Sequence, residues 1–451
     1  MPELDGRALG ALWGLPFAGL LLSIALLPLA WPRLWHAHCG KIAAAWSLAF
    51  LLPFACSQGA GATYSVLAHT LLGDYLPFVI LLGALFTTAG GIHLRGNLHG
   101  SPALNVALMA AGALLASVMG TTGASMLMVR PLIRANDNRR HNAHVLVFFI
   151  FIVGNAGGAL TPLGDPPLFL GFLKGVDFGW TLRQLWPQTL LLVGALLAIF
   201  WLIDRRLYRR EGVLRQDPTP DDATTRGIEG AVNLLPLAAI VGLVLMSGLW
   251  KPGLAWQFAG LRLALPALLR DGLLLAVIAL SLWLTPRGVR EKNQFSWAPL
   301  REVAKLFAGI FLTMIPVLAM LKAGEQGAFA ALTRAVNGAD GQPLPWAYFW
   351  LAGALSAFLD NAPTYLVFFN LAGGDPQALM TTLAPTLAAI SAGSVFMGAL
   401  SYIGNAPNFL VKAIAEERGV RMPGFFGYMA WSLAVLLPLF ALITLIFFVV
   451  R

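Results

Sequence analysis

The chain has 451 residues, 58% of them hydrophobic and only 11% charged, with a mean hydropathy of +0.74. A soluble domain carries about 25% charged residues, so this composition excludes one and places the chain in a lipid bilayer. The net charge of +9 is concentrated in a few loops, which reads as membrane orientation and not as affinity for nucleic acid.

Continuous apolar runs of near twenty residues predict helices and exclude a β-barrel, whose strands alternate over about ten residues. Met1-Pro-Glu-Leu-Asp-Gly has no basic region or cleavage site, so Leu12–Trp31 reads as a retained first span. Spans are predicted at 11–30, 41–57 and 75–92. A segment at 103–133 follows, interrupted by Gly120-Thr-Thr-Gly-Ala-Ser125, then a span at 145–173 broken at 161–167, and one at 187–203. Leu207–Gly230 reads as a polar cytoplasmic linker. Spans then recur at 231–250, 271–285 and 300–321. A segment at 346–371 is interrupted by Asp360-Asn-Ala-Pro-Thr364, a span at 380–418 is broken at 401–407, and the last covers 428–450. Cys39 and Cys56 suggest neither a disulfide nor a metal motif.

Four loops are basic: Arg134, Arg139 and Arg140; Arg205, Arg206, Arg209, Arg210 and Arg215; Arg287, Arg290, Lys292 and Arg301; Lys412, Arg418 and Arg421. All four lie on one side only if 103–133 enters and leaves on that side. It is therefore expected to be a re-entrant hairpin from the cytoplasm, and 346–371 one from outside, with arms too short to cross about 30 Å. The expected fold is an all-α integral membrane protein of two inverted 5+5 repeats, 1–206 and 231–451. It has about ten transmembrane helices, two hairpins and two broken helices, with the N-terminus outside.

One stretch occurs twice. Gly158-Ala-Leu-Thr-Pro-Leu-Gly-Asp-Pro-Pro-Leu-Phe-Leu170 aligns without gaps on Gly398-Ala-Leu-Ser-Tyr-Ile-Gly-Asn-Ala-Pro-Asn-Phe-Leu410, with seven of thirteen positions identical. Gly and Pro at this density break a helix. Broken helices at corresponding points of two halves mark a transporter's binding site. The breaks place Thr121, Thr122 and Ser125 beside Thr161 and Asp165. In the second half they place Asp360, Asn361 and Thr364 beside Ser401, Asn405 and Asn408. If each hairpin tip meets its own broken helix, two sites form, each with one carboxylate plus hydroxyl, amide and backbone oxygens. Hard cations take oxygen ligands, and a buried Asp needs a cation, a proton or a hydrogen-bonded partner. The alternative for either Asp is a helix cap. Weaker candidates are Asp74 and Glu325 near span ends, His93, His99, His141 and His144 as pH sensors, and Arg130 as an anion contact.

The chain resembles the ion-transporter superfamily, and within it the bacterial sodium/proton antiporters of NhaD type and the putative citrate transporters. The likeness is carried by Met119-Gly-Thr-Thr-Gly-Ala-Ser-Met-Leu-Met-Val-Arg-Pro-Leu-Ile133, Gly154-Asn-Ala-Gly-Gly-Ala-Leu-Thr-Pro-Leu-Gly-Asp-Pro-Pro-Leu168, Phe358-Leu-Asp-Asn-Ala-Pro-Thr-Tyr365 and Ile403-Gly-Asn-Ala-Pro-Asn-Phe409. It implies a homodimer in a bacterial inner membrane, with hairpins and broken helices moving elevator-fashion against a scaffold. It also implies sodium sites at Thr122, Ser125 and Asp165, then at Asn361, Thr364 and Asn405. Asn155, Gly164 and Gly404 fall within these stretches as further ligand positions. Sodium-coupled carboxylate carriers carry Ser-Asn-Thr at both tips; here the tips read Thr-Thr-Gly-Ala-Ser and Asp-Asn-Ala-Pro-Thr. The expected function is exchange of sodium or lithium for protons, with Asp165 and Asp360 alternately holding cation and proton. Sodium-coupled transport of citrate or a dicarboxylate is the second reading, and a channel or lipid-handling scaffold the third. No catalysis and no cofactor beyond the ions are expected.

Overall fold

The structure, a computed structural model, describes residues 4–96, 98–212, 227–258 and 261–449. Most of the expected linker, with Arg215, lies outside the described residues. Helices α1 (Leu15–Ala30) and α2 (Pro32–His69) open the chain, and a π-helical turn at Thr70–Tyr75 leads into α3 (Leu76–Ala89). A short strand β1 (His93–Arg95) precedes α4 (Pro102–Met119) and α5 (Thr121–Ala135), then α6 (Ala143–Ile152), α7 (Pro166–Leu173) and α8 (Phe178–Glu211). The second half runs β2 (Gly227–Glu229), α9 (Leu234–Leu249), β3 (Ala255–Phe258), β4 (Leu261–Ala264) and α10 (Leu265–Leu284). Next come α11 (Arg287–Lys292), α12 (Ala298–Thr313), α13 (Ile315–Lys322) and α14 (Ala330–Val336). It closes with α15 (Pro345–Leu359), α16 (Asn361–Leu371), α17 (Pro376–Met380), α18 (Ala384–Met397), α19 (Ala406–Glu417) and α20 (Phe425–Ile443). This is an all-α multi-pass membrane protein. The sequence reading missed two small antiparallel ribbons, β1–β2 and β3–β4, because strands of three or four residues leave almost no alternation to detect.

Eight helical runs among the described residues are long and apolar enough to cross a membrane, or nine if the α12–α13 pair, bent by 43°, is one span. The run Ala37–Ala89 has 53 residues, about 80 Å of helix at 1.5 Å per residue, too long for one crossing. It holds the two expected spans 41–57 and 75–92, and its backbone leaves helical geometry at Gly59, φ +81°. Two expectations need correction. The arm α4 has 18 residues and is long enough by itself to span; it belongs to a hairpin because the chain reverses at Gly120, φ +81°, and α5 packs back along it. Arg205, Arg206, Arg209 and Arg210 lie not in a loop but in the last two turns of α8. No Gly or Pro stands between Gly194 and Glu211, so nothing stops that helix at 203.

The helices form two packed groups. In one, α1 and α12 pack on α2, and α9 and α3 on α10. In the other, α4 to α8 pack with α15 to α20. The broken helix Ala143–Leu160 sits at the centre of the second group: 89% of it is buried, against 22% for α10. The contrast has a physical cause, because lipid solvates apolar side chains but not broken backbone, which must be enclosed by protein.

The two halves repeat local geometry at the 240-residue spacing that separates Asp165 from Asn405. Gly120 and Asp360 break the two hairpins, both at positive φ (81° and 65°). Thr161 donates its hydroxyl to Ser117 O, and Ser401 donates to Ala357 O. Both hairpins therefore end in a one-residue break, and Thr121 and Asn361 already belong to the first turns of the returning helices.

Candidate functional site

Both broken helices contain a glycine pair six residues apart, and the reason is steric. A Cβ on Gly164 would sit 2.1 Å from the Gly158 carbonyl oxygen, and one on Gly404 2.5 Å from that of Gly398. Each pair lets the chain cross itself tightly before α7 or α19 begins. Gly164→Ala must push backbone against backbone, at about 1–3 kcal/mol or more. Its expected outcome is a lower melting temperature in detergent than Gly179→Ala, where nothing lies within 4 Å; equal melting would refute this.

Four helix N-termini meet at these crossings: α5 at Thr121, α7 at Pro166, α16 at Asn361 and α19 at Ala406. Asp165, buried, lies among them. Its carboxylate accepts from Thr121 Oγ1 at 2.9 Å and Asn405 Nδ2 at 3.3 Å, and from Asn361 Nδ2. Asn405 also donates to Gly154 O and to Asn155 Oδ1, and Asn155 donates to Asn408 Oδ1 at 2.7 Å. Asn408 in turn ties Gly398 O and Ser401 O. The expectation of two separate sites is thus corrected. Each tip does meet its own broken helix, as Thr121 N–H on Gly164 O illustrates. However, Asn361 and Asn405 of the second half both turn onto the first half's carboxylate, giving one polar centre.

Asp360 follows the capping alternative. Its side chain accepts from Ala362 N–H at 3.3 Å, and Thr364 donates back to Asp360 O at 2.9 Å. Asp165 makes no such cap on α7. Ser125 Oγ and Asn361 Oδ1 are buried oxygens without a hydrogen-bond partner, an arrangement that a native core seldom tolerates unless something else binds there. Thr122 faces a cavity of about 120 Å³ with Thr121, Asp165, Asp360 and Asn405 on one wall. Phe78, Leu81 and Leu85 of α3 and Val303 and Phe307 of α12 form the other. Among the described residues, no Lys, Arg or His lines it. The Phe78 and Phe307 rings stack at 4.7 Å. Phe311, 5.9 Å from Phe78, faces a second, larger cavity of about 1130 Å³ beside Asp74 and Lys174.

The weaker candidates find ordinary partners. Asp74 takes Lys174 Nζ on both oxygens, at 2.7 and 2.8 Å, and Glu325 is exposed. Burial pushes the His93 imidazole below its usual range, and its Nδ1 meets Asn293 at 3.0 Å. Arg130 is buried and donates to Gln294 Oε1, away from the cavity. The two cysteines are free.

One cluster escaped the sequence reading. Asp204, fully buried on α8, takes Arg139, His144 Nε2 at 2.9 Å and Asn105 Nδ2 at 3.0 Å, and Asn136 links Asn105 to Arg139. A signal existed. The buried face of α8 runs Leu185, Gln188, Leu192, Leu196, Phe200, Asp204, so the acid continues an apolar stripe at helical spacing.

A family profile described as "Putative citrate transport" matches residues 6–448. The chain belongs to that family. Two relatives, each described as an uncharacterized transporter, come from Mycobacterium bovis and Mycobacterium tuberculosis. Each is 25% identical over 337 residues, which is 71% of this chain and 71% of the relative. Membership of this family, with these relatives, supports a transport role. Within the family's matched span lie all four breaks and the Asp165 centre.

Proposed function

We propose that the protein is a secondary active carrier of a citrate-type organic anion, coupled to a cation. The observation that supports this most directly is the meeting of four helix N-termini at one cavity beside a carboxylate. Each N-terminus carries roughly half a positive charge from its aligned peptide dipoles, so together they favour bound carboxylates. Asp165 and Asp360 would repel that anion unless a cation is present, which is a physical basis for coupling. Asp165 and the unpartnered Asn361 Oδ1 offer oxygen ligands suited to sodium, and Ser125, Thr122, Thr364 and Asn405 are the further oxygen-bearing candidates on the same helix ends. Asp360 adds a second argument. Its positive φ would cost a glycine nothing and costs an L-residue roughly 1–3 kcal/mol, and the first-half counterpart is Gly120. Retaining a carboxylate there fits a role for its charge.

Alternating access would carry the hairpin group past α3 and α12, elevator-fashion, between two halves of opposed orientation. The setting we infer is a bacterial inner membrane, with the N-terminus outside and a homodimer as the unit. Exchange of sodium or lithium for protons is the second reading, favoured by a cavity lining with two carboxylates and, among the described residues, no basic side chain.

Reconstituted liposomes discriminate the two. Radiolabelled citrate should accumulate under an imposed sodium or proton gradient and not without one. If citrate and dicarboxylates stay outside while sodium drives proton movement, exchange is the function. Absence of both fluxes would remove the carrier reading.

A further inference from the structure

A third cavity, at the end of the molecule that bears the basic loops, is built for a different task. It measures about 560 Å³ and lies where the turn after α5, the end of α8 and the turn after α19 meet. Arg139, Arg140, His141, Arg418 and Arg421 line it, with Asp137 the one carboxylate among its described lining residues. Of the acids close by, two are held by the cavity's own residues and two turn away from it. Asp204 holds Arg139 and His144, Glu416 holds Lys412, and Glu417 accepts from Gln294. Glu211 is gripped on both oxygens by the consecutive backbone N–H groups of Arg140 and His141, at 3.0 and 2.8 Å. That grip shows the loop already presenting donors in a geometry that fits an oxyanion.

Cations elsewhere at this end are matched differently. Lys292 pairs with Glu229, and Arg290 donates to Thr87 O and Ser281 O. Around the cavity the balance is positive instead. Arg418 stands near Arg130 and Arg134, with Glu417 and Asp137 as the acids facing those two. Arg139, which lines the cavity, is more than nine-tenths buried, yet its Nε has no hydrogen-bond partner. Packed guanidinium groups with unused donors are stable when a multivalent oxyanion joins them, since each planar fork matches a phosphate or carboxylate edge. Leu207, Val420 and Trp431 complete the walls, so the site has an apolar flank as well as a cationic floor. Basic pockets between membrane helices suit acidic lipid head groups for this reason.

We propose that this cavity binds a phosphate-class oxyanion, carried on a phospholipid head group or free in solution, at a site separate from the transport cavity. The proposal stands whichever cargo the Asp165 centre moves.

The full-length protein in nanodiscs and in detergent tests it. Native mass spectrometry counts retained phosphatidylglycerol against phosphatidylcholine, and thermal unfolding compares inorganic phosphate with chloride at matched ionic strength. Preferential retention of phosphatidylglycerol alone assigns a head group. A phosphate-specific rise in melting temperature assigns a free anion. The double variant Arg140→Gln/Arg421→Gln, both positions being exposed, should weaken whichever binding is seen by roughly tenfold per guanidinium lost. Arg287→Gln, an exposed arginine outside the cavity, should leave it unchanged. No preference for phosphatidylglycerol together with no phosphate effect would overturn the proposal. So would equal behaviour of the double variant and Arg287→Gln.

Discussion

Asp165→Asn is expected to abolish coupled transport while the protein still folds and inserts. The substitution keeps size and hydrogen-bonding capacity. Thr121 can donate to the new amide oxygen as it does to the carboxylate at 2.9 Å, although the amides of Asn361 and Asn405 must reorient around the added NH₂ group. What disappears is the charge. A cation about 4 Å from a carboxylate at an effective dielectric near 20 gains roughly 4 kcal/mol, close to a thousandfold in affinity. Asp360 lines the same cavity, but its side chain caps Ala362 N–H and accepts no side-chain hydrogen bond from Thr121, Asn361 or Asn405. Cation-driven flux in liposomes is the readout, with size-exclusion behaviour as the check on folding. A variant that transports at the wild-type rate would show that Asp165 is structural only. Asp360→Asn should have a smaller effect on the fold, because an Asn cap replaces an Asp cap with little loss.

Asp204→Ala is expected to be the most destabilising of the substitutions considered. Arg139, with no exposed side-chain surface, would be left as a buried charge without its counter-ion. Removing one partner of such a pair costs roughly 3–5 kcal/mol, whereas replacing both with apolar groups of similar volume is often neutral. The diagnostic comparison is therefore Asp204→Ala against Asp204→Leu/Arg139→Met. The single variant should lose most of its folded yield and melting temperature, and the double variant should recover a large part of both. A double variant no better than the single one would mean that the cluster acts through hydrogen bonds of Asn105 and His144 and not through charge. The cluster joins α4, the turn after α5, α6 and α8, so it braces the first hairpin from behind while the tip meets Asp165.

How much of this was legible beforehand depended on the range of the interaction concerned. Apolar runs define helices locally, and Gly and Pro define breaks locally, so the spans and both broken helices could be placed from neighbours within a few turns, while the hairpins needed the charge of loops along the whole chain. The same applies to the Gly158/Gly164 and Gly398/Gly404 pairs, which recur in sequence because each tight crossing excludes a Cβ. The end of α8 was misjudged because its charged last turns looked like loop, although Asp204 kept the register of the buried face. The strands β1 and β2 were invisible because each is three residues long and its partner lies beyond the linker.

By itself, the sequence determined an all-helical membrane protein in two similar halves, with polar residues at four backbone breaks. Those properties arise from hydropathy and backbone sterics, which act over short stretches. Only the tertiary structure decided that the breaks share one centre. Asn361 reaches Asp165 across 196 residues and Asn405 across 240. Asp360, chemically equivalent on paper, turns instead to its own helix. Which carboxylate is capped and which stands at the meeting of four helix ends depends on how the halves pack, and no local pattern encodes that.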